Sequence, residues 1–169
     1  VAILGGGVIG LLVVQLAKIA GASEIVLITR QKFRRDVALK IGATRVVDPK
    51  SENVDTAVAN MDVTFECAGA VETFKQAQNI TRRGGSVIVL GLTAADVTLE
   101  VNPFNIVVNE LRIQGSFLNP LTQGRAAELV ESGKLNLDIL ISKVVDLAGV
   151  QAILDAPPAE GDIKYIACP

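Results

Sequence analysis

Five residues have the types and spacing to hold phosphate groups: Gly5, Gly7 and Gly10 in a G-x-G-x-x-G run, then Thr29 and Arg30. In such a run the first glycine lets the chain turn sharply off a strand. The second has no Cβ, so a pyrophosphate can approach the backbone, and the third lets a helix pack close to the strand. Val8 and Ile9 open that helix, whose free N–H groups and partial positive charge face the phosphates. About twenty residues beyond the glycines, sequences that bind NAD carry an acid for the ribose hydroxyls. Thr29 stands there instead. Threonine does not repel a 2′-phosphate, and Arg30 offers that phosphate a planar, permanently charged partner. The pair therefore favours NADP(H) over NAD(H). Arg34 or Arg35, at the start of the next helix, is a second candidate contact, with Arg34 taken for that role. The competing reading makes this a structural glycine turn and the arginines solvated surface charges. Asp36 lies one turn too far on to serve as the ribose acid.

The elements needed to position these residues are legible. An apolar strand over 1–4 leads into the glycines, a helix from about 8 to 20 ends at Gly21, and a second strand covers 25–28. A helix over 32–41 stops at Gly42, and a short strand over 45–47 follows. Residues 51–60 make at best a brief helix. A strand over 62–66 and a helix over 71–80, with Phe74 and Ala77 inward, lead through Arg83-Gly84-Gly85 into a strand over 86–90. Strands alternating with helices in this way indicate βαβ units and a parallel sheet. Beyond Gly91, residues 97–101 alternate as a possible edge strand, and Asn102 caps a short helix with Pro103 at its first position. A strand over 110–114, from Glu110 to Gln114, a helix over 121–132 closed by Gly133, and a helix over 147–156 capped by Asp146 come next. Pro157-Pro158 stops that helix, and a closing strand covers 163–167. The expected fold is α/β: a doubly wound, mostly parallel six-stranded Rossmann sheet with helices on both faces, forming one dinucleotide-binding domain over 1–169.

Composition narrows the chemistry. With 169 residues, half of them hydrophobic, the chain can build a sizeable core. A net charge of -2 argues against a nucleic-acid partner, and no apolar run is long enough to span a membrane. There is no histidine, so no Ser-His-Asp triad, Cys-His pair or typical catalytic zinc site can form. Cys67 and Cys168 read as reduced thiols of a cytoplasmic protein.

Four segments occur in order: Gly5-Gly6-Gly7-Val8-Ile9-Gly10, Phe65-Glu66-Cys67-Ala68-Gly69, Arg83-Gly84-Gly85-Ser86-Val87-Ile88-Val89-Leu90-Gly91 and Glu110-Leu111-Arg112-Ile113-Gln114-Gly115-Ser116-Phe117. Together they resemble the coenzyme-binding domain of medium-chain dehydrogenases/reductases, in the zinc-containing alcohol, polyol and threonine dehydrogenase branch. Asn102-Pro103-Phe104 and Gly115-Ser116-Phe117-Leu118-Asn119-Pro120 look most like sorbitol-dehydrogenase-type members.

That resemblance implies an oxidoreductase acting on alcohols or ketones. Its GroES-like catalytic domain, which carries the zinc ligands, would be absent from this chain. With that domain absent, the resemblance implies that the chain by itself binds a dinucleotide, holds no metal and catalyses nothing; Val1, which begins in mid-strand, fits a piece of a longer protein. The resemblance also places Ala68 on the adenosine side of the cofactor. Leu90, Gly91 and Leu92 would lie near the nicotinamide carboxamide, and backbone groups of Ser116 and Leu118 would hydrogen-bond it. Glu66 is expected to be structural, and Lys143 has no role. Family members dimerise through the edge strand that corresponds to 110–114, so a homodimer is expected. Other readings are a zinc-free quinone or enoyl reductase, a non-catalytic nucleotide-binding module, and a methyltransferase. Thr29 and the Gly115-Ser116-Phe117 element speak against the last.

Overall fold

A computed structural model describes residues 1–118, 121–157 and 159–169. Six strands form one parallel sheet: β1 (Ala2–Leu4), β2 (Val26–Ile28), β3 (Arg45–Val47), β4 (Met61–Glu66), β5 (Thr81–Val89) and β6 (Arg112–Gly115). Their spatial order is β3-β2-β1-β4-β5-β6. The chain builds outward from β1 in one direction, then restarts at β4 and builds outward in the other. Side chains alternate across a strand. Ile3 therefore joins one apolar cluster, whereas Ala2 and Leu4 join the other.

Helices cover both faces. α1 (Val8–Ile19) and α2 (Lys32–Ile41) put Leu11, Val14, Val37 and Ala38 on the Ile3 face. On the other face, α3 (Val54–Ala57) contributes Val54, and α4 (Val71–Ile80) contributes Ala77 and Ile80. Ile3, Leu4, Val26 and Leu27 are fully buried. Each contributes about 2 kcal/mol through burial, which is why a three-residue strand can stand at the sheet centre. Both halves of this layout follow the doubly wound α/β reading of the sequence.

The expected bounds of α2, β3 and α4 match the structure. Asn102 caps α5 (Pro103–Val108), accepting from the Phe104 N–H at 3.0 Å. α6 (Gln123–Glu131) follows, and Asp146 caps α7 (Leu147–Asp155) through the Gly149 N–H. Pro157 lies beyond the end of α7; its expected fellow stop, Pro158, lies outside the described residues, as do Asn119 and Pro120.

Four expectations need correction. Residues 97–101 form no strand: Val97 and Val101 are exposed, a turn links the Val97 N–H to the Ala94 carbonyl, and no strand among the described residues pairs with them. β5 begins at Thr81, directly after α4, and passes through a bulge where Gly84 is left-handed. β6 starts at Arg112, because Glu110 at φ +50 still belongs to the turn after α5. The strand expected to close the sheet does not join it. β8 (Lys164–Ala167) instead pairs in parallel with β7 (Ile141–Val145), which the sequence reading did not anticipate. That small sheet follows a 3-10 turn whose Leu140 plugs into the Ile3 core.

Candidate functional site

The sheet order reverses between β1 and β4, so the chain leaves their carboxyl ends toward opposite faces of the sheet, the place where ligands of open α/β sheets bind. Gly5 leaves β1 at φ +108, a conformation that side chains resist, and its N–H donates to the Ile28 carbonyl at 2.9 Å. A Cβ there would lie 2.8 Å from the Ala68 nitrogen, so the loops after β1 and β4 touch at this point. A Cβ on Gly10 would fall 1.9 Å from the Gly5 carbonyl oxygen; its absence lets α1 start directly beneath the turn. Gly7 is the opposite case. It is the extended residue ahead of α1, and a Cβ there would meet no atom within 4 Å. The space over Gly7 is open, and no side chain caps α1. The first N–H groups of the helix, at Val8, Ile9 and Gly10, therefore have no intrahelical acceptor. An open glycine and unpaired donors at a positive helix end together form an anion cradle.

Thr29 is buried at the end of β2, its N–H bonded to the Val47 carbonyl at 3.1 Å. Its side chain faces Gly6, where a Cβ would come within 2.9 Å of the threonine methyl and hydroxyl. Gly6 is the residue that sequence reasoning passed over. The run of three glycines was the available signal, and it makes room for Thr29. Arg30, next along, is exposed and makes no hydrogen bond or ion pair among the described residues. Arg34 donates to the Asp162 carbonyl at 3.1 Å, while its Nε is buried without a partner. One arm of this expected contact is thus committed to the segment before β8.

Glu66 organises the loop after β4, as its structural reading requires. One of its side-chain oxygens accepts from the N–H groups of Ala68 and Gly69 and from the Thr73 hydroxyl, at 2.8, 2.9 and 2.7 Å. Its carbonyl accepts from the N–H groups of Leu90 and Gly91. The loops after β4 and β5 are tied together so closely that a Cβ on Gly91 would meet the Gly69 nitrogen at 2.2 Å. Ala68 and Leu92 are exposed at the rim, Leu90 and Gly91 half-buried beside them. At the end of β6, the Ser116 N–H is already bonded to the Val89 carbonyl at 2.9 Å, which leaves its carbonyl for a ligand. Leu118 is exposed and left-handed at φ +57.

A sequence profile described as zinc-binding dehydrogenase matches residues 8–132. The chain belongs to the zinc-binding dehydrogenase family. An L-threonine 3-dehydrogenase of Thermococcus kodakarensis is 34% identical over 148 residues, 83% of this chain and 42% of that protein. A D-arabinitol dehydrogenase 1 of Uromyces fabae is 28% identical over 99% of this chain and 50% of its own length. The chain spans about half the length of the curated relatives it matches. Among solved structures, a protein of Sinorhizobium meliloti 1021 assigned as a zinc-binding dehydrogenase and bound to NADP shares 43% identity. It aligns with a TM-score of 0.96 over 99% of this chain and 52% of its own.

Among the described residues no three His, Cys, Asp or Glu side chains gather to hold an ion. At Cys67, at the end of β4, burial, with Glu66 adding to it, pushes the thiol up to about 12. Among the described residues no helix is long and apolar enough to cross a membrane.

Proposed function

We propose that this chain is the NADP(H)-binding domain of a zinc-dependent alcohol or polyol dehydrogenase. The carrying observation is the meeting of Gly6 and Thr29: the end of β2 presents a buried threonine where an acid would exclude a 2′-phosphate, with Arg30 free beside it. The NADP bound to the Sinorhizobium meliloti protein supports the same cofactor.

In this reading Gly7 and the N–H groups of Val8, Ile9 and Gly10 hold the pyrophosphate. Thr29 and Arg30 hold the 2′-phosphate, and Arg34 is the candidate for a second contact. Ala68 flanks the adenosine. Leu90, Gly91, Leu92, Ser116 and Leu118 line the path to the nicotinamide, whose carboxamide finds main-chain partners there. When bound, the cofactor exchanges a hydride with an alcohol or ketone carbon. The zinc and its ligands lie in a catalytic domain outside residues 1–169, and no catalytic step is assigned to this chain.

We further propose a homodimer built through β6, whose outer edge presents unpaired backbone groups to a second copy. The unpaired thiols of Cys67 and Cys168 suit a reducing cytoplasm. Replacing Thr29 by Asp tests the cofactor assignment. The NADPH affinity is expected to fall at least tenfold relative to NADH, the equivalent of about 1.4 kcal/mol. An unchanged ratio refutes it. Sedimentation at micromolar concentration tests the dimer, and a monomer would refute it.

A further inference from the structure

Arg35 looks at first like one more cation for the 2′-phosphate. The first turn of α2 carries Lys32, Arg34 and Arg35 and no acid, with Arg30 just ahead of it. Four cations beside the positive end of a helix repel one another and the helix dipole. The structure divides them by what they hold. Lys32 pairs with Asp36 at 2.7 Å, both exposed. Arg30 has no partner among the described residues. Arg35 is committed twice. One nitrogen donates to the Thr29 carbonyl at 2.7 Å, and another pairs with an Asp48 oxygen at 2.9 Å. Both side chains are sheltered, at 15% and 23% exposed. Asp48 is held in turn, its other oxygen accepting the Lys50 N–H at 3.0 Å.

We infer that Arg35 is a positioning residue for cofactor selectivity: bridging the ends of β2 and β3, it fixes the Thr29–Arg30 peptide so that Arg30 meets the 2′-phosphate. This rests on the NADP(H) reading above and adds to it how the turn is held. A planar fork can satisfy a carbonyl and a carboxylate at once, which a lysine ammonium does less well. A trans peptide directs its carbonyl and its N–H to opposite sides. Holding the Thr29 carbonyl toward α2 therefore turns the Arg30 N–H the other way and sets where the Arg30 side chain leaves the backbone. Without the bridge, the three-residue link between β2 and α2 keeps the Thr29 N–H bond to the Val47 carbonyl at one end and the Arg35 N–H bond to the Gln31 carbonyl at the other, with nothing holding the Thr29–Arg30 peptide between them among the described residues.

The test removes the bridge without changing net charge, by combining Arg35→Met with Asp48→Asn. The asparagine keeps an oxygen for Lys50. Affinities for NADPH and NADH are measured by calorimetry in the wild-type and Arg30→Ala backgrounds. The ratio of the two affinities is the readout, because a purely structural loss weakens both cofactors alike. In the wild-type background the NADPH preference is expected to fall on the order of tenfold, the size of one lost charge-assisted hydrogen bond. In the Arg30→Ala background it is expected to change less than about twofold, because a residue acting through another shows non-additivity. Arg35→Lys, which keeps the charge and one of the two bonds, is expected to fall between and serves if the double variant does not fold. Equal losses in both backgrounds would mean that Arg35 touches the phosphate itself and would overturn the inference, as would an unchanged ratio. A wild-type protein with no preference for NADPH would overturn the cofactor reading and this inference together.

Discussion

Gly7 and Gly10 lie three residues apart in the same turn, yet adding one methyl group to each should have opposite consequences. At Gly10 the new Cβ would sit 1.9 Å from the Gly5 carbonyl oxygen and 3.1 Å from its carbon. Ordinary contact is near 3.4 Å, so one backbone must move by more than 1 Å. Overpacking of this kind costs about 1–3 kcal/mol, against which alanine's better helix propensity returns at most about 1 kcal/mol. Gly10→Ala is therefore expected to lower stability by about 1–2 kcal/mol. It should also weaken cofactor binding, since Gly5 must shift.

At Gly7 the Cβ enters empty space, and φ −71 with ψ −178 suits alanine. The smaller entropy of the unfolded chain offsets the poorer cap, so stability should stay within about 0.5 kcal/mol of wild type. That empty space is where the pyrophosphate must approach. Losing one charge-assisted hydrogen bond there costs about 1.5–3 kcal/mol, or roughly tenfold to a hundredfold in affinity. Urea unfolding and NADPH calorimetry on both variants separate the two effects. Gly7→Ala binding NADPH as tightly as wild type would refute the assignment of the turn to the pyrophosphate.

Other consequences can be checked on the same protein. Glu66→Ala removes an oxygen that satisfies three donors, so it should destabilise by about 3 kcal/mol in urea unfolding, with Glu66→Gln losing less than half of that. At pH 8 iodoacetamide should alkylate Cys168, which is exposed, and leave Cys67 untouched until the chain unfolds, as peptide mapping would show. The Cys67 thiol titrates higher in the folded chain than its ordinary value of 9.0, so the unfolded chain releases that proton first. This contribution to stability is full below about pH 9 and is lost between there and about pH 12, so the comparison with Cys67→Ala should diverge only in that window.

Much of this fold is written in local signals. Gly42 marks the end of α2, Asn102 and Asp146 carry their caps, and the apolar runs of β1 and β2 can only be central strands. The glycine turn is legible for the same reason, because Gly5 and Gly10 each answer a steric need of the turn itself and fix the place of Gly7 between them. What escaped depends on partners distant in sequence. Val97, Leu99 and Val101 alternate like a strand, but among the described residues no strand pairs with them to complete a ladder. β7 carries Ser142 and Lys143 amid its apolar residues and becomes a strand only because β8 comes to lie next to it. Arg34 reaches Asp162, 128 residues away, and Ser116 spends its N–H on Val89; neither pairing has a local signature. Gly6 and Thr29 could be named from the sequence, but only the fold shows that one makes room for the other.

The central claim is that the end of β2 reads a 2′-phosphate. Parallel calorimetric titrations of the wild-type protein with NADPH and NADH, at one fixed salt concentration, test it most directly. An Arg30–phosphate pair contributes about 1.5–3 kcal/mol, so NADPH should bind roughly tenfold to a hundredfold more tightly than NADH. Equal affinities, or tighter binding of NADH, would contradict it.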